Sequence, residues 1–199
     1  MHDEPSVTAD DIGRYAERAR LDPSRFDLEE QAAAIEAQDN LVGRLDDLEA
    51  ETAPDREYWE PDEAADPNAA FLTRCDLRRT DDGVLSELTV AVKDNIAVAG
   101  LPMTCGSPLL ENHVPAEDAT VVERILDAGG RIRGKANMDE FALGGDAATM
   151  RFRLARNPTD PSHQPGGSSA GSGAAVADGL VDVALGSDTG GSVRFPASF

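Results

Sequence analysis

Hydroxyl groups gather in two glycine-rich runs near the end of this 199-residue sequence. PGGSSAGSG at 165–173 holds Ser168, Ser169 and Ser172, and GSDTGGSVRFPASF at 186–199 holds Ser187 and Ser192. A serine hydroxyl becomes a useful nucleophile only when a base takes its proton, and nearby glycines let backbone N–H groups approach a developing oxyanion. Histidine is the usual base. Here His2, His113 and His163 all precede Ser169, so the G-x-S-x-G formed by residues 167–171, with Ser169 as nucleophile, lacks the His that an α/β-hydrolase elbow needs downstream. Asp188-Thr189-Gly190 gives one D-T-G of an aspartic-protease pair, but the second copy is missing and Gly191 stands where Ser or Thr belongs. A phosphate loop is disfavoured too, because no G-x-x-x-x-G-K-[ST] occurs.

Lysine can replace histidine as the base when it is buried, since desolvation disfavours the ammonium form. Of the 18 basic residues, 16 are arginine and only Lys93 and Lys135 are lysine. Lys93 directly follows the apolar run LTVAV at 88–92. A guanidinium cannot give up its proton, so a lysine kept there in an arginine-rich chain suits base chemistry. Its competing role is a structural ion pair with a carboxylate such as Asp94.

Three segments, VAVKDN at 90–95, GGSSAGS at 166–172 and GSDTGGSVRFPASF at 186–199, with DATVVERILDAGGRIRGKANMDEF between them, together resemble the amidase signature family. The resemblance runs from about residue 88 to the last residue. Its motifs agree in order and spacing, with 75 residues from Lys93 to Ser168 and 24 from Ser168 to Ser192. It implies hydrolysis of a carboxylic amide to acid plus ammonia or amine through a seryl acyl-enzyme. In that scheme Ser192 is the nucleophile, Ser168 the bridging serine and Lys93 the base. It further implies a cis peptide at Gly167–Ser168 and an oxyanion hole from the amides of Thr189, Gly190, Gly191 and Ser192. Asp188 and Arg194 are expected to pin the two limbs of that loop, Ser169 to support it, and no metal or cofactor to take part.

Within the family, the A subunit of a glutamine-dependent tRNA amidotransferase usually reads S-I-R-Q-P-A after the paired glycines, whereas this chain has Phe195 in place of the glutamine. The loop GGDAAT at 144–149 also lacks the serines associated with the amidotransferase. A stand-alone amidase acting on a small amide is therefore favoured. The alternative is the amidotransferase A subunit, working with partner subunits. Ala170 replaces a glycine usual in the family and is expected to strain the loop if its φ is positive. Members typically continue well beyond the position of Phe199, so the chain reads as an N-terminal portion that keeps the whole triad. An inactive truncated polypeptide is the expectation of another class.

These residues need a frame, and the pattern predicts α/β. A buried strand over 88–92, a helix over 118–128 stopped by Gly129, and a strand over 131–133 give a βαβ unit. A small-residue helix over 172–178 and a strand over 180–185 follow. The expected architecture is an amidase-signature fold, a mixed sheet between helical layers that is truncated at its C-terminus. An acidic helical extension and linker at 1–69 precedes the core at 70–199.

Within the extension, Thr8 or Asp10 caps a helix reaching residue 20. A longer helix covers 28–49 with Ile35, Leu41, Leu45 and Leu48 near helical spacing, and residues 54–67 form an irregular arm anchored by Tyr58 and Trp59. This extension is a candidate homodimer surface. The formal charge of −20, from 38 acids and 18 bases, argues against direct contact with nucleic acid or an anionic membrane. The same excess with scarce lysine suits a halophilic protein, where salt screens self-repulsion. Cys75 and Cys105 show no metal or disulfide spacing, and the N-terminal stretch has no basic and apolar export pattern. A reducing cytoplasm is the expected location.

Overall fold

The computed structural model describes residues 7–43 and 52–199. The chain forms two compact units, Met1–Glu51 and Thr52–Phe199. In the first, helix α1 (Ala9–Arg18) opens with a capping box in which Thr8 Oγ1 accepts from the Asp11 amide and the Asp11 carboxylate accepts from the Thr8 amide. Thr8 rather than Asp10 is therefore the cap. Helix α2 (Leu28–Gly43) lies against α1, with Ala16 and Ala32 buried. Residues 44–49 of the expected longer helix, including Leu45 and Leu48, lie outside the described residues.

The second unit is built on a five-stranded mixed sheet of order β1-β2-β4-β3-β5, with strands β1 (Tyr58–Trp59), β2 (Phe71–Leu77), β3 (Thr89–Lys93), β4 (Arg131–Ala136) and β5 (Val183–Leu185). β1 and β2 run antiparallel to their neighbours, whereas β3 is parallel to both β4 and β5. Residues 52–69, grouped with the extension on sequence grounds, fold with this unit. Tyr58 and Trp59 pair with Cys75 and Arg74 of β2 instead of forming an irregular arm. Asp66 is buried, and its carboxylate accepts the amides of Ala70 and Phe71 at 2.7 and 3.1 Å, which starts β2.

Helix α3 (Thr120–Asp127) crosses from β3 to β4 and is followed, past its cap Ala128, by Gly129, whose φ is +86°. Helix α4 (Ala170–Ala177) lies between β4 and β5 in sequence. Successive side chains of a strand face opposite ways, and β3 uses both directions. Val90 and Val92 join Cys75, Ile132, Val122 and Leu126 in the α3 layer. Ala91 joins Phe71, Ala136, Ala174 and Ala175 in the α4 layer. By the same alternation Lys93 falls on the α4 side and Asp94 on the α3 side.

Small residues let α4 lie close to the sheet. A Cβ on Gly171 would come within 2.3 Å of the Ala70 oxygen and 2.4 Å of the Asn137 nitrogen. Helix α4 starts two residues earlier than its composition suggested, and Ala170 is its first residue rather than a left-handed turn. Its φ is not positive, so the expected strain is absent, and the positive φ of +73° sits at Gly166 instead. A short helix α5 (Arg194–Ser198) completes the described unit. Among the described residues no helix is long and apolar enough to cross a membrane.

Candidate active site

From β3 the chain goes through α3 to one neighbour, β4, and from β4 through α4 to β5 on the other side of β3. At such a reversal open α/β sheets place their ligands beyond the carboxyl ends of the parallel strands. Lys93 and Asn95 leave β3 there, Ser187 and Asp188 leave β5, and Asp139 follows β4. Ser168 and Ser169 stand just ahead of α4.

The two lysines of the chain part company at this edge. Lys135, in register with Val92, reaches Asp94 Oδ1 at 3.3 Å in a fully buried pair. Asp94 is further held by Thr104, whose amide and hydroxyl donate to Oδ2 at 2.9 and 2.6 Å. The carboxylate that competed for Lys93 is thus occupied on the opposite face of the sheet.

Lys93 has no accessible surface and lies 2.8 Å from Ser168 Oγ. Its ammonium also faces two oxygens of Ser187, the hydroxyl at 2.9 Å and the carbonyl at 3.3 Å. Burial lowers the Lys93 pKa from 10.5 to about 8, against the opposing pull of the Asp139 and Asp188 carboxylates. At pH 7 the ammonium therefore still predominates, and the neutral amine becomes the major form only above about pH 8.

Ser168 is fully buried, and the Gly167–Ser168 peptide is cis. Gly167 cannot carry a side chain, because a Cβ there would fall 2.1 Å from Asp139 Oδ2. That oxygen is buried without a hydrogen-bond partner among the described residues, while Oδ1 accepts from the Thr149 hydroxyl and amide at 2.9 and 3.2 Å. Asp139 also donates its own amide to the Ser168 carbonyl at 3.2 Å. Sequence reasoning missed Asp139, although its place in NMDEF between the motifs was a usable signal.

Ser192 joins the assembly through its backbone, its carbonyl accepting the Ser169 amide at 3.1 Å. Among the described residues Ser192 Oγ makes no hydrogen bond to Ser168 Oγ. Ser169 Oγ donates to the Ser187 carbonyl at 3.3 Å, and Ser172 Oγ to the Leu185 carbonyl at 2.9 Å, tying α4 to the end of β5.

Asp188 organises the glycine loop. Its carboxylate accepts the amides of Gly191, Val193 and Arg194 at 2.7, 3.1 and 3.3 Å and holds the Arg194 guanidinium through Nε and Nη2 at 3.1 and 3.0 Å. The Arg194 hydrogen bonds, helped by those amides, keep the Asp188 pKa well below the usual carboxylate range. Gly191, one of the four amides expected at an oxyanion hole, is thereby committed to Asp188. The amides of Thr189, Gly190 and Ser192 have no hydrogen-bond partner among the described residues. Phe195 packs its ring over Gly191, where a Cβ would meet it at 2.7 Å.

Chemically, this arrangement can carry a proton from a serine hydroxyl to a buried amine beside a loop with free N–H groups. The combination is compatible with lysine-assisted serine chemistry without histidine. The chain matches the Amidase family over residues 61–199 and belongs to it. It is 57% identical over 130 residues to the A subunit of the glutamyl-tRNA(Gln) amidotransferase of Natronomonas pharaonis, a match covering 65% of this chain and 31% of that protein. It is 51% identical to the corresponding A subunit from Thermotoga maritima, whose crystal structure gives a TM-score of 0.58 over 60% of this chain and 26% of its own. The crystal structure of an amidase, 33% identical, gives a TM-score of 0.55 over 97% of this chain and 41% of its own. The chain thus spans about a third of the length of the curated relatives it matches.

Proposed function

We propose that the chain carries the amide-cleaving site of an amidase-signature enzyme. Neutral Lys93 takes the proton of Ser168 as Ser168 takes that of Ser192, and Ser192 Oγ adds to the amide carbonyl carbon. The amides of Thr189, Gly190 and Ser192 bind the oxyanion. Collapse breaks the C–N bond as the proton returns through Ser168 to the leaving nitrogen, and water then releases the acid from the acyl-serine. The observation that carries this reading is the 2.8 Å contact of a fully buried Lys93 with Ser168 Oγ.

The relatives at 51–57% identity support the A subunit of a glutamyl-tRNA(Gln) amidotransferase, in preference to the stand-alone amidase that Phe195 and the 144–149 loop suggest. In that role the amide is glutamine, the product is ammonia, and other subunits are the partners. The acidic surface suits a cytoplasm of high salt. A stand-alone amidase remains the second reading because the amidase structure covers 97% of this chain, helical N-terminal unit included. In that case α1 and α2 supply a homodimer surface.

Ammonia release by the purified protein in concentrated KCl, with glutamine and with benzamide, separates the readings. Release from glutamine is expected, and release from benzamide alone selects the stand-alone amidase. Release from neither, with Ser192 inert to a fluorophosphonate, contradicts both.

A further inference from the structure

Ser187 is the residue on which the site converges, although it belongs to none of the three catalytic positions. Its hydroxyl oxygen accepts from Lys93 Nζ at 2.9 Å and from Asn95 Nδ2 at 3.0 Å, and its carbonyl oxygen accepts from Lys93 Nζ at 3.3 Å and from Ser169 Oγ at 3.3 Å. These contacts follow from the parallel pairing of β3 with β5. Val92 stands opposite Leu185, so the residues leaving the two strands meet just beyond the sheet.

We infer that Ser187 is a positioning residue for the base: its hydroxyl and carbonyl oxygens take the two N–H bonds of the neutral Lys93 amine and leave the lone pair facing Ser168. An ammonium has three donors and an amine two donors and one lone pair. Three oxygens surround Lys93 Nζ, namely Ser168 Oγ, Ser187 Oγ and the Ser187 carbonyl. When Lys93 is charged, all three accept. When it is neutral, two hydrogens stay on Ser187 and the third direction receives the Ser168 hydrogen at the same 2.8 Å, so no heavy atom has to move.

Asn95 fixes the acceptor in turn. A hydroxyl oxygen accepts two hydrogen bonds, and those from Lys93 and Asn95 fill both. The Ser168 hydrogen then has no competing acceptor on the Ser187 hydroxyl.

This inference rests on the amide-cleaving reading, yet it can be tested without activity. Because the chain has two lysines, ¹³Cε-lysine labelling gives two NMR signals, and their assignment follows from Lys93→Arg. Ser187→Ala removes one acceptor of the ammonium, and charge-assisted bonds are the stronger ones. The Lys93 titration should therefore move down by roughly half to one pH unit. Ser187→Thr keeps the hydroxyl and should restore the original midpoint. The Asp139 and Asp188 carboxylates, which also face Lys93, are the same in both variants.

Fluorophosphonate labelling of Ser192 well above the midpoint, where nearly all of the Lys93 amine is neutral, should be about tenfold slower in Ser187→Ala and normal in Ser187→Thr. A Ser187→Ala chain whose Lys93 titration and labelling plateau both coincide with the unsubstituted protein overturns the inference. A shifted titration with an unchanged plateau also overturns it, since the hydroxyl would then touch the amine without aiming it. If Ser192 is inert in the unsubstituted chain, the amide-cleaving reading falls, and an unmoved titration in Ser187→Ala would separately show that Ser187 does not hold the amine.

Discussion

Lys93 Nζ and Ser168 Oγ lie 2.8 Å apart, although 75 residues separate them and neither has accessible surface. Strand parity and helix packing explain the meeting. The fifth residue of β3 must face the α4 layer, and the glycines and alanines of α4 bring its N-terminal serines down to the strand end.

The pH dependence follows from the proposed role of Lys93 as base. With Lys93 at about 8, Ser192 labelling should rise with pH and level off above that value, because only the neutral amine accepts the Ser168 proton. Lys93→Ala should slow labelling on the order of 10²–10⁴-fold at pH 7 and by less at alkaline pH, where hydroxide partly replaces the base. Rates measured from pH 6 to 10 check this. Equal losses throughout would mark a structural lysine.

Removing Lys93 should change stability in the opposite sense to activity. The folded state holds the Lys93 proton less tightly than the unfolded chain, so below about pH 8 the buried ammonium opposes folding, and the penalty vanishes as pH rises through 10.5. Lys93→Met should therefore raise stability by ~1–3 kcal/mol at pH 7. Urea unfolding at pH 7 and 10.5 should show this advantage shrinking with pH.

Asp188 acts through its charge on the loop. Its depressed pKa means the carboxylate stays ionised, and the loop ordered, well below pH 4, with that contribution lost only at stronger acidity. Asp188→Ala releases the Gly191 amide and the Arg194 guanidinium together and should slow Ser192 labelling about tenfold or more. Asp188→Asn, which still accepts hydrogen bonds from the backbone, should lose less. Labelling rates of the two variants at one pH provide the comparison.

Close packing of α4 gives a purely steric prediction. In Gly171→Ala the new methyl meets backbone at 2.3 and 2.4 Å, so α4 must lift from the strand ends. The variant should lose roughly 1–3 kcal/mol. Its labelling rate should also fall, because Ser168 and Ser169 move with the helix. Denaturant midpoints and labelling rates measured together would show whether both effects appear.

Much of this frame is legible in the sequence where each element is locally consistent. LTVAV, the helix before Gly129 and RIR each carry their own periodicity and stop signals. β2 hides because Thr73, Arg74 and Asp76 interrupt its apolar residues, and because Arg74 gains its place by lying 4.3 Å over the Phe71 ring. β5 is shorter than the apolar run 180–185 because the Leu180 and Val181 amides turn back to the Ala175 carbonyl and close α4.

At the site, residue type pointed to Lys93, Ser168 and Ser192, whereas Ser187 and Asp139 were overlooked. Ser187 meets Lys93 through strand register, which only the three-dimensional arrangement displays, whereas Asp139, which fills the space a Cβ at Gly167 would need, could have been sought in NMDEF.

The central claim is that Ser192 is the nucleophile activated through Ser168 by Lys93. Fluorophosphonate labelling followed by peptide mapping tests it most directly. The adduct should map to Ser192, vanish in Ser192→Ala and form more slowly in Ser168→Ala, with Ser168 and Ser169 unmodified in the unsubstituted protein. An adduct on Ser169, or one on Ser192 that forms at the same rate in Ser168→Ala and Lys93→Ala as in the unsubstituted protein, would contradict the account.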